Sequence, residues 1–373
     1  MADLGKDYTS ENMRPEEGTA VSKSFRLPRI LWIAFGVLAV FLCGAALLFD
    51  HYYSKLDVSE RSGDEIELEA TGDEDWRDGI SAEDLSEYDE ILRQNLEAGM
   101  DSAFNNAEVT NILLIGVDND YLPGMDARGN ADGLVILSIN KTTKKVVLTS
   151  LMRDIYVSVP ERYNTKITLV YHYSGINTLI KTVEANFGVP IDNYVLVNYL
   201  NVIDIVDSVG GLTMDVTEDE LYWMQDKIRS LNYLAGNPSE QNMISTKKAG
   251  TLLLNGIQTA AYMRIRYAGN GDFDRTGRAR DVLLALRDKA ADMSLIELNK
   301  LADTVLPCIK TDLTEGQVLS LLFNAPAYMK YATESNRIPI DDTYSFANIK
   351  GSMVVINFEK NRKFIYESIY GEG

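Results

Sequence analysis

The feature that most limits what this chain can become is a run of twenty residues, 30–49, in which no side chain is charged. Wound into a helix at about 1.5 Å per residue, such a run spans the roughly 30 Å hydrocarbon core of a bilayer. Lys23, Arg26 and Arg29 precede it and Asp50 follows. The positive-inside bias therefore predicts a short cytoplasmic N-terminus (residues 1–29), one transmembrane helix (30–49) and a C-terminal portion outside the cell membrane. A cleaved signal peptide has an apolar core of only about 7–15 residues before its small-residue cleavage site. Here Leu47, Leu48 and Phe49 run on past Gly44, Ala45 and Ala46.

Cys43 lies within the run, so only Cys308 remains beyond it and no disulfide can form within the exported part. That part must be held by its own core. The formal charge of −19 argues against a sequence-independent grip on nucleic acid, which needs a basic surface. Two histidines, His51 and His172, are too few for Ser-His-Asp, Cys-His or histidine-zinc chemistry, and no Gly-x4-Gly-Lys-Ser/Thr phosphate loop is present. Chemistry on this chain must run on carboxylates, guanidiniums and a metal.

Residues 50–109 read as an acidic extracytoplasmic linker, with seventeen Asp or Glu against three Arg between positions 57 and 101. Leu85, Ile91, Leu92 and Leu96 give residues 83–96 a helical period, and the remainder reads as solvated chain. Flexible over about 50 residues, it would have an end-to-end distance of roughly 40 Å.

From 110 to 373 the pattern is that of an α/β domain: a mixed central sheet flanked by helices on both faces. Residues 111–117 are a buried strand that delivers Asp118 at its end, and 133–139 and 145–150 form a hairpin around the turn 140–144. A helix over 175–187, a strand over 193–199, a helix over 201–209 and a strand over 212–216 continue the alternation. Residues 236–246 are loop, and helices are expected at 252–264, 275–293, 294–305 and 314–325. A last strand and helix fall at 353–358 and 359–370.

Two groups of residues could carry chemistry. Asp118 and Asp132 stand at neighbouring strand ends, which suits Mg²⁺, an ion that takes one or two protein carboxylates and leaves its other positions to water and phosphate. The alternative is that each is a turn or cap residue. Arginine gathers in Leu151-Met-Arg-Asp154, in Tyr262-Met-Arg-Ile-Arg-Tyr267 and in Asp274-Arg-Thr-Gly-Arg-Ala-Arg280. Guanidinium forks match phosphate oxygens, and Arg275 and Arg278 are helix neighbours at i, i+3. The competing reading pairs them with Asp272, Asp274 and Asp281.

At these residues the sequence resembles the LytR-CpsA-Psr family of cell-wall proteins. The match runs through Asn111-Ile-Leu-Leu-Ile-Gly-Val-Asp118, Ala131-Asp-Gly-Leu-Val-Ile-Leu-Ser-Ile-Asn140, Ser150-Leu-Met-Arg-Asp154, Lys166-Ile-Thr168, Val206-Asp-Ser-Val-Gly-Gly-Leu-Thr-Met-Asp-Val216, Leu254-Asn-Gly-Ile-Gln-Thr-Ala-Ala-Tyr-Met-Arg-Ile-Arg266 and Gly271-Asp-Phe-Asp-Arg-Thr-Gly-Arg278. The resemblance implies a phosphotransferase that moves a glycopolymer from a polyprenyl-pyrophosphate carrier to a peptidoglycan sugar hydroxyl, with teichoic acid, capsule and other wall polymers all open. It places Mg²⁺ on Asp118 and Asp132, and the pyrophosphate on Arg153, Lys166, Arg264, Arg266, Arg275 and Arg278. Arg153 and Arg275 are the expected catalytic groups, with Asp154 a candidate base. The chain departs from the family pattern at Asp120, Asn130 and Ala279, where the family often carries Arg, Arg and Gln. Those departures keep two further readings open: a regulatory membrane protein that binds polyprenyl phosphate, and a pyrophosphatase acting on the lipid-linked glycan.

Overall fold

A computed structural model describes residues 49–59, 82–97, 106–118, 129–162, 164–246, 248–269, 272–348 and 352–371. The expected cytoplasmic N-terminus and, apart from Phe49, the expected membrane span lie outside these residues. Among the described residues no helix is long and apolar enough to cross a membrane.

A seven-stranded mixed sheet organises the domain, in the order Asp57–Val58, Ile309–Thr311, Asn193–Asn198, Val109–Asp118, Asn130–Asn140, Lys145–Leu151, Ala332–Ile338. Asn130–Asn140 and Lys145–Leu151 form the expected hairpin, and Val109–Asp118 pairs antiparallel with the first of them to make a meander. Asn193–Asn198 and Ala332–Ile338 add parallel strands on either side of it. Each parallel addition needs a crossover, and helices supply it, covering both faces as expected.

On one face Leu113, Ile115, Leu134 and Ile136 pack against Ile180, Val183 and Phe187 of the helix Ile167–Phe187 and Ile365 of the helix Phe358–Tyr370. The first of these helices starts eight residues before the expected Gly175, where φ 76° and ψ −174° join two helical segments across a kink. On the other face lie the helices Tyr199–Ser208, Gly256–Met263 and Asp272–Ala291. They join a second core built from Val206, Met224, Ile228, Leu254 and Ile257.

Three differences from the sequence reading stand out. Residues 252–254 do not begin a helix: Gly250–Leu254 is a strand paired antiparallel with Leu212–Val216, and the helix starts at Gly256. Asn255 and Gln258 cap that helix reciprocally. Gly256 is required there, since a Cβ would lie 2.1 Å from the Ile203 carbonyl oxygen. Helix Glu218–Leu234 has no counterpart in the expectation. Thr217 and Glu220 form its capping box, and Leu221, Met224, Ile228 and Leu231 its buried stripe.

The third difference is that the acidic linker is partly built into the domain. Its helix Ala82–Glu97 buries Leu92 in the main core, and Asp89 accepts hydrogen bonds from Tyr156 Oη (2.5 Å) and Asn164 Nδ2 (2.8 Å). Asp57–Val58 completes the sheet edge beside Ile309–Thr311. Just before it, Lys55 pairs with Asp303 at 2.5 Å and Tyr53 Oη donates to the Leu313 carbonyl at 3.0 Å. A segment fixed at these points does not have the 40 Å reach of free chain. The remaining linker residues, 60–81 and 98–105, lie outside the described set.

Candidate anion-binding site

The site begins with an irregularity between two strands. Val117 pairs with Ala131 and Gly116 with Gly133, so Asp132 is the extra residue of a β-bulge. Bulges leave one residue unpaired and re-aim its side chain. Here that side chain is a carboxylate only 2% exposed, a placement tolerated because cations surround it. Arg153 Nη1 donates to Oδ1 at 2.7 Å, Thr168 Oγ1 to the same oxygen at 3.1 Å, and Arg275 Nη2 to Oδ2 at 2.7 Å. Arg266 Nη2 stands 4.0 Å from Oδ2. Burial alone would push the Asp132 carboxyl up. Arg275 and Arg153, with the hydrogen bonds from Arg275 and Thr168, outweigh it and hold the group below the ordinary carboxylate range.

Four chain segments supply the expected cations of the site. Helix Gly256–Met263 ends at Arg264, its C-cap residue, whose Nη2 lies 3.1 and 3.2 Å from the two oxygens of Asp118. Arg266 follows two residues on and is the open member of the group, its side chain 46% exposed. Helix Asp272–Ala291 carries Arg275 inward. Arg153 comes from the loop after Lys145–Leu151, and Lys166 from the short strand Thr165–Lys166.

Two expected roles change. Arg278 does not turn toward Asp132 with Arg275. Its Nε donates to Glu220 at 2.8 Å, and Nη1 and Nη2 donate to the carbonyls of Ile265 (3.1 Å) and Ala268 (3.2 Å). With a carboxylate partner and two carbonyls, it clamps the backbone on both sides of Arg266 and is a positioning residue. Asp154 is buried between Arg153 Nε at 3.5 Å and Lys166 Nζ at 3.4 Å. Its two oxygens each face one of those cations, which places it as a brace between the two side chains.

One residue of the site was absent from the expectation. Lys227, half-buried on helix Glu218–Leu234, has no hydrogen-bond or ion-pair partner among the described residues. Burial first, then Arg266, Arg264 and Arg275, hold its ammonium below the ordinary lysine range, with Asp118 pulling the other way. The capping box and apolar stripe of its helix were readable signals.

Six cations (Arg153, Lys166, Lys227, Arg264, Arg266 and Arg275) thus meet three carboxylates (Asp118, Asp132 and Asp154). The surplus is positive in a strongly acidic protein, which fits a ligand carrying several negative charges. Asp118 and Asp132 also offer two hard oxygen donors on adjacent strands, a set that fits Mg²⁺ shared with phosphate oxygens. Among the described residues no group of three or more His, Cys, Asp or Glu could hold a metal unaided.

Behind this polar mouth lies an apolar cavity of about 160 Å³. Its floor is the sheet, where Gly116 faces Gly133 across the register and leaves the surface bare, and Leu114 and Val135 extend it. Its walls are Val202, Met263, Leu283 and Leu286. Gly133, Val135 and Ala279 line both this cavity and the recess that holds Asp132, Arg153 and Arg275, so the two spaces are contiguous.

Fold and site together define an α/β domain that sets a cation-rich recess beside an apolar pocket. The chain belongs to the LytR_cpsA_psr family, which matches residues 80–364. Over 223 residues it is 30% identical to the polyisoprenyl-teichoic acid–peptidoglycan teichoic acid transferase TagU of Bacillus cereus, covering 59% of this chain and 66% of that protein. It is 29% identical over 267 residues to the corresponding transferase TagV of Bacillus subtilis, covering 69% of this chain and 64% of that one. The chain thus spans just under two thirds of the length of these relatives. Among solved structures, TagT with bound octaprenyl pyrophosphate lipid shares the fold at a TM-score of 0.52 and 20% identity, covering 72% of this chain and 94% of that one. The crystal structure of Bacillus subtilis TagV does so at 0.53 and 24%, covering 72% and 100%.

Proposed function

We propose that this protein is a phosphotransferase that moves a glycopolymer, teichoic acid or a chemically similar wall glycan, from a polyprenyl-pyrophosphate carrier to a peptidoglycan sugar hydroxyl. The observation that carries the reading is the contiguity of the cation-rich mouth with the apolar cavity, which matches a ligand that is pyrophosphate at one end and hydrocarbon at the other. Names of relatives as transferases support it.

Arg153, Lys166, Arg264, Arg266 and Arg275 neutralise the pyrophosphate oxygens, with Asp154 held between Arg153 and Lys166. Phosphoryl transfer asks little more of a protein than positioning and charge neutralisation. Asp118 and Asp132 would hold Mg²⁺, which when bound supplies further charge neutralisation at the phosphates. The acceptor hydroxyl attacks the phosphorus next to the glycan, the bridging P–O bond breaks, polyprenyl phosphate leaves and the hydroxyl proton passes to solvent. A membrane helix at residues 30–49 would keep the site outside the cell at the bilayer surface, where the lipid tail of the carrier lies.

The test incubates the full chain in detergent with a polyprenyl-pyrophosphate-linked glycan, Mg²⁺ and peptidoglycan. Arg153→Ala or Asp132→Ala is expected to lower transfer by about 10²–10³, the usual effect of removing one group that stabilises developing charge. Transfer by the variants equal to that of wild type would overturn the site.

A further inference from the structure

Beside the cation cluster the surface changes character. Tyr267 follows Arg266 directly and is 67% exposed, yet its ring is not isolated: its centroid lies 5.0 Å from that of Trp223, at 46° between planes. Trp223 meets the 70% exposed Tyr222 edge-on at 5.2 Å. Trp223 is four residues before Lys227 on helix Glu218–Leu234, so the two side chains are neighbours on one helix face. Both flanks of the platform are fixed, because Arg278 ties Glu220 to the carbonyls of Ile265 and Ala268, and Asp219 accepts from Gly269 N at 3.3 Å.

An exposed tyrosine held against a part-buried tryptophan, next to a lysine with no partner among the described residues, is costly surface unless something covers it. The weakly positive C–H face of a sugar ring complements the negative face of an aromatic ring, while its hydroxyls or phosphate need donors at the rim. Trp223 and Tyr267 supply the first requirement, and Lys227 and Arg266 the second. Neither the apolar cavity nor the recess of Arg275 is lined by Trp223, Lys227 or Tyr267, so a lipid tail seated in the cavity leaves this platform to the rest of the ligand.

We propose that Trp223 and Tyr267, with Lys227 at their edge, form a saccharide subsite in which one pyranose ring adjoining the reacting phosphate stacks. The identity of that sugar, either the first ring of the carried glycan or the acceptor ring of peptidoglycan, rests on the transferase reading. Stacking itself does not.

Three probes bound to the full chain separate these cases: sugar-free prenyl pyrophosphate, the same lipid bearing its glycan, and a soluble lipid-free peptidoglycan chain. Tyr267→Ala is expected to weaken at least one sugar-bearing probe about tenfold and leave sugar-free prenyl pyrophosphate unchanged, with Tyr267→Phe restoring affinity. Lys227→Gln is expected to weaken the same probe. Loss on the glycan-bearing lipid assigns the subsite to the donor, and loss on the soluble chain to the acceptor. If Tyr267→Ala bound both sugar-bearing probes as wild type does, or weakened all three alike, or if wild type bound neither sugar-bearing probe, the subsite would be overturned. Failure of wild type to bind sugar-free prenyl pyrophosphate would instead strike the transferase reading, with the soluble chain still deciding the subsite. Because Tyr267 is exposed, its replacement leaves the melting temperature as a clean check on folding.

Discussion

The two faces of the central sheet are built from the same strands and have different fates. Toward helices Ile167–Phe187 and Phe358–Tyr370 the strands offer Leu113, Ile115, Leu134 and Ile136, each 2% exposed or less, and the helices close over them. Toward helix Asp272–Ala291 the same strands offer Gly116, Gly133 and Val135, and the helix stands off to leave a cavity. Alternation in a strand lets one segment serve both purposes, since neighbouring residues face opposite ways. Stability is concentrated on the filled face, and the face left unfilled carries the polar mouth.

The sharpest way to break this contrast is to remove one side chain from each face. Leu113→Ala on the filled face is expected to cost about 2–5 kcal/mol in a urea melt, the sum of lost burial and a new void. Leu286→Ala on the other face should cost less, about 1 kcal/mol, because part of its surroundings is already empty and fewer contacts are lost. Equal losses would show that the cavity closes in solution.

A smaller effect sharpens the contrast from the other side. Ala279 lines both the cavity and the recess of Asp132. Ala279→Leu is expected to change stability by no more than about 1–3 kcal/mol, the ordinary range for overpacking. It should reduce binding of a prenyl pyrophosphate about tenfold, the equivalent of about 1.4 kcal/mol. Titration of a fluorescent prenyl pyrophosphate in detergent would check it, and unchanged affinity would place the lipid elsewhere.

How much of this was legible in the sequence follows the same division. The strand 111–117 and the hairpin after it were readable because buried runs bounded by turn residues have few other solutions. Arg153, Arg264 and Arg275 stood out as guanidiniums without need in an acidic chain. The bulge at Asp132 could not be read, because it depends on the register of two strands. Arg278 was grouped with Arg275 by helix spacing, but Glu220 and two carbonyls from distant segments decided its direction. Residues 252–254 read as the start of a helix since a short apolar run is ambiguous by period alone, whereas they end the strand Gly250–Leu254. Ala332–Ile338, mostly polar, becomes a strand only by pairing with Lys145–Leu151.

The smallest expected effect concerns the pH dependence of the polar mouth. Asp132 is held below its ordinary range in the folded chain, so unfolding raises its proton affinity. Its contribution to stability is therefore fully present above the ordinary carboxylate pKa and is lost as the pH falls through the lower, folded value. Asp132→Asn removes that titration while keeping a side chain of the same shape. Urea midpoints measured from pH 6 down to pH 2.5 should fall less steeply for the variant than for wild type at the acid end. Leu113→Ala should shift the midpoint by about the same amount at every pH, because it removes no titrating group. If the acid slopes of Asp132→Asn and wild type coincided, the arginines would not be stabilising a buried carboxylate in solution, and the link between bulge and cation cluster would fail.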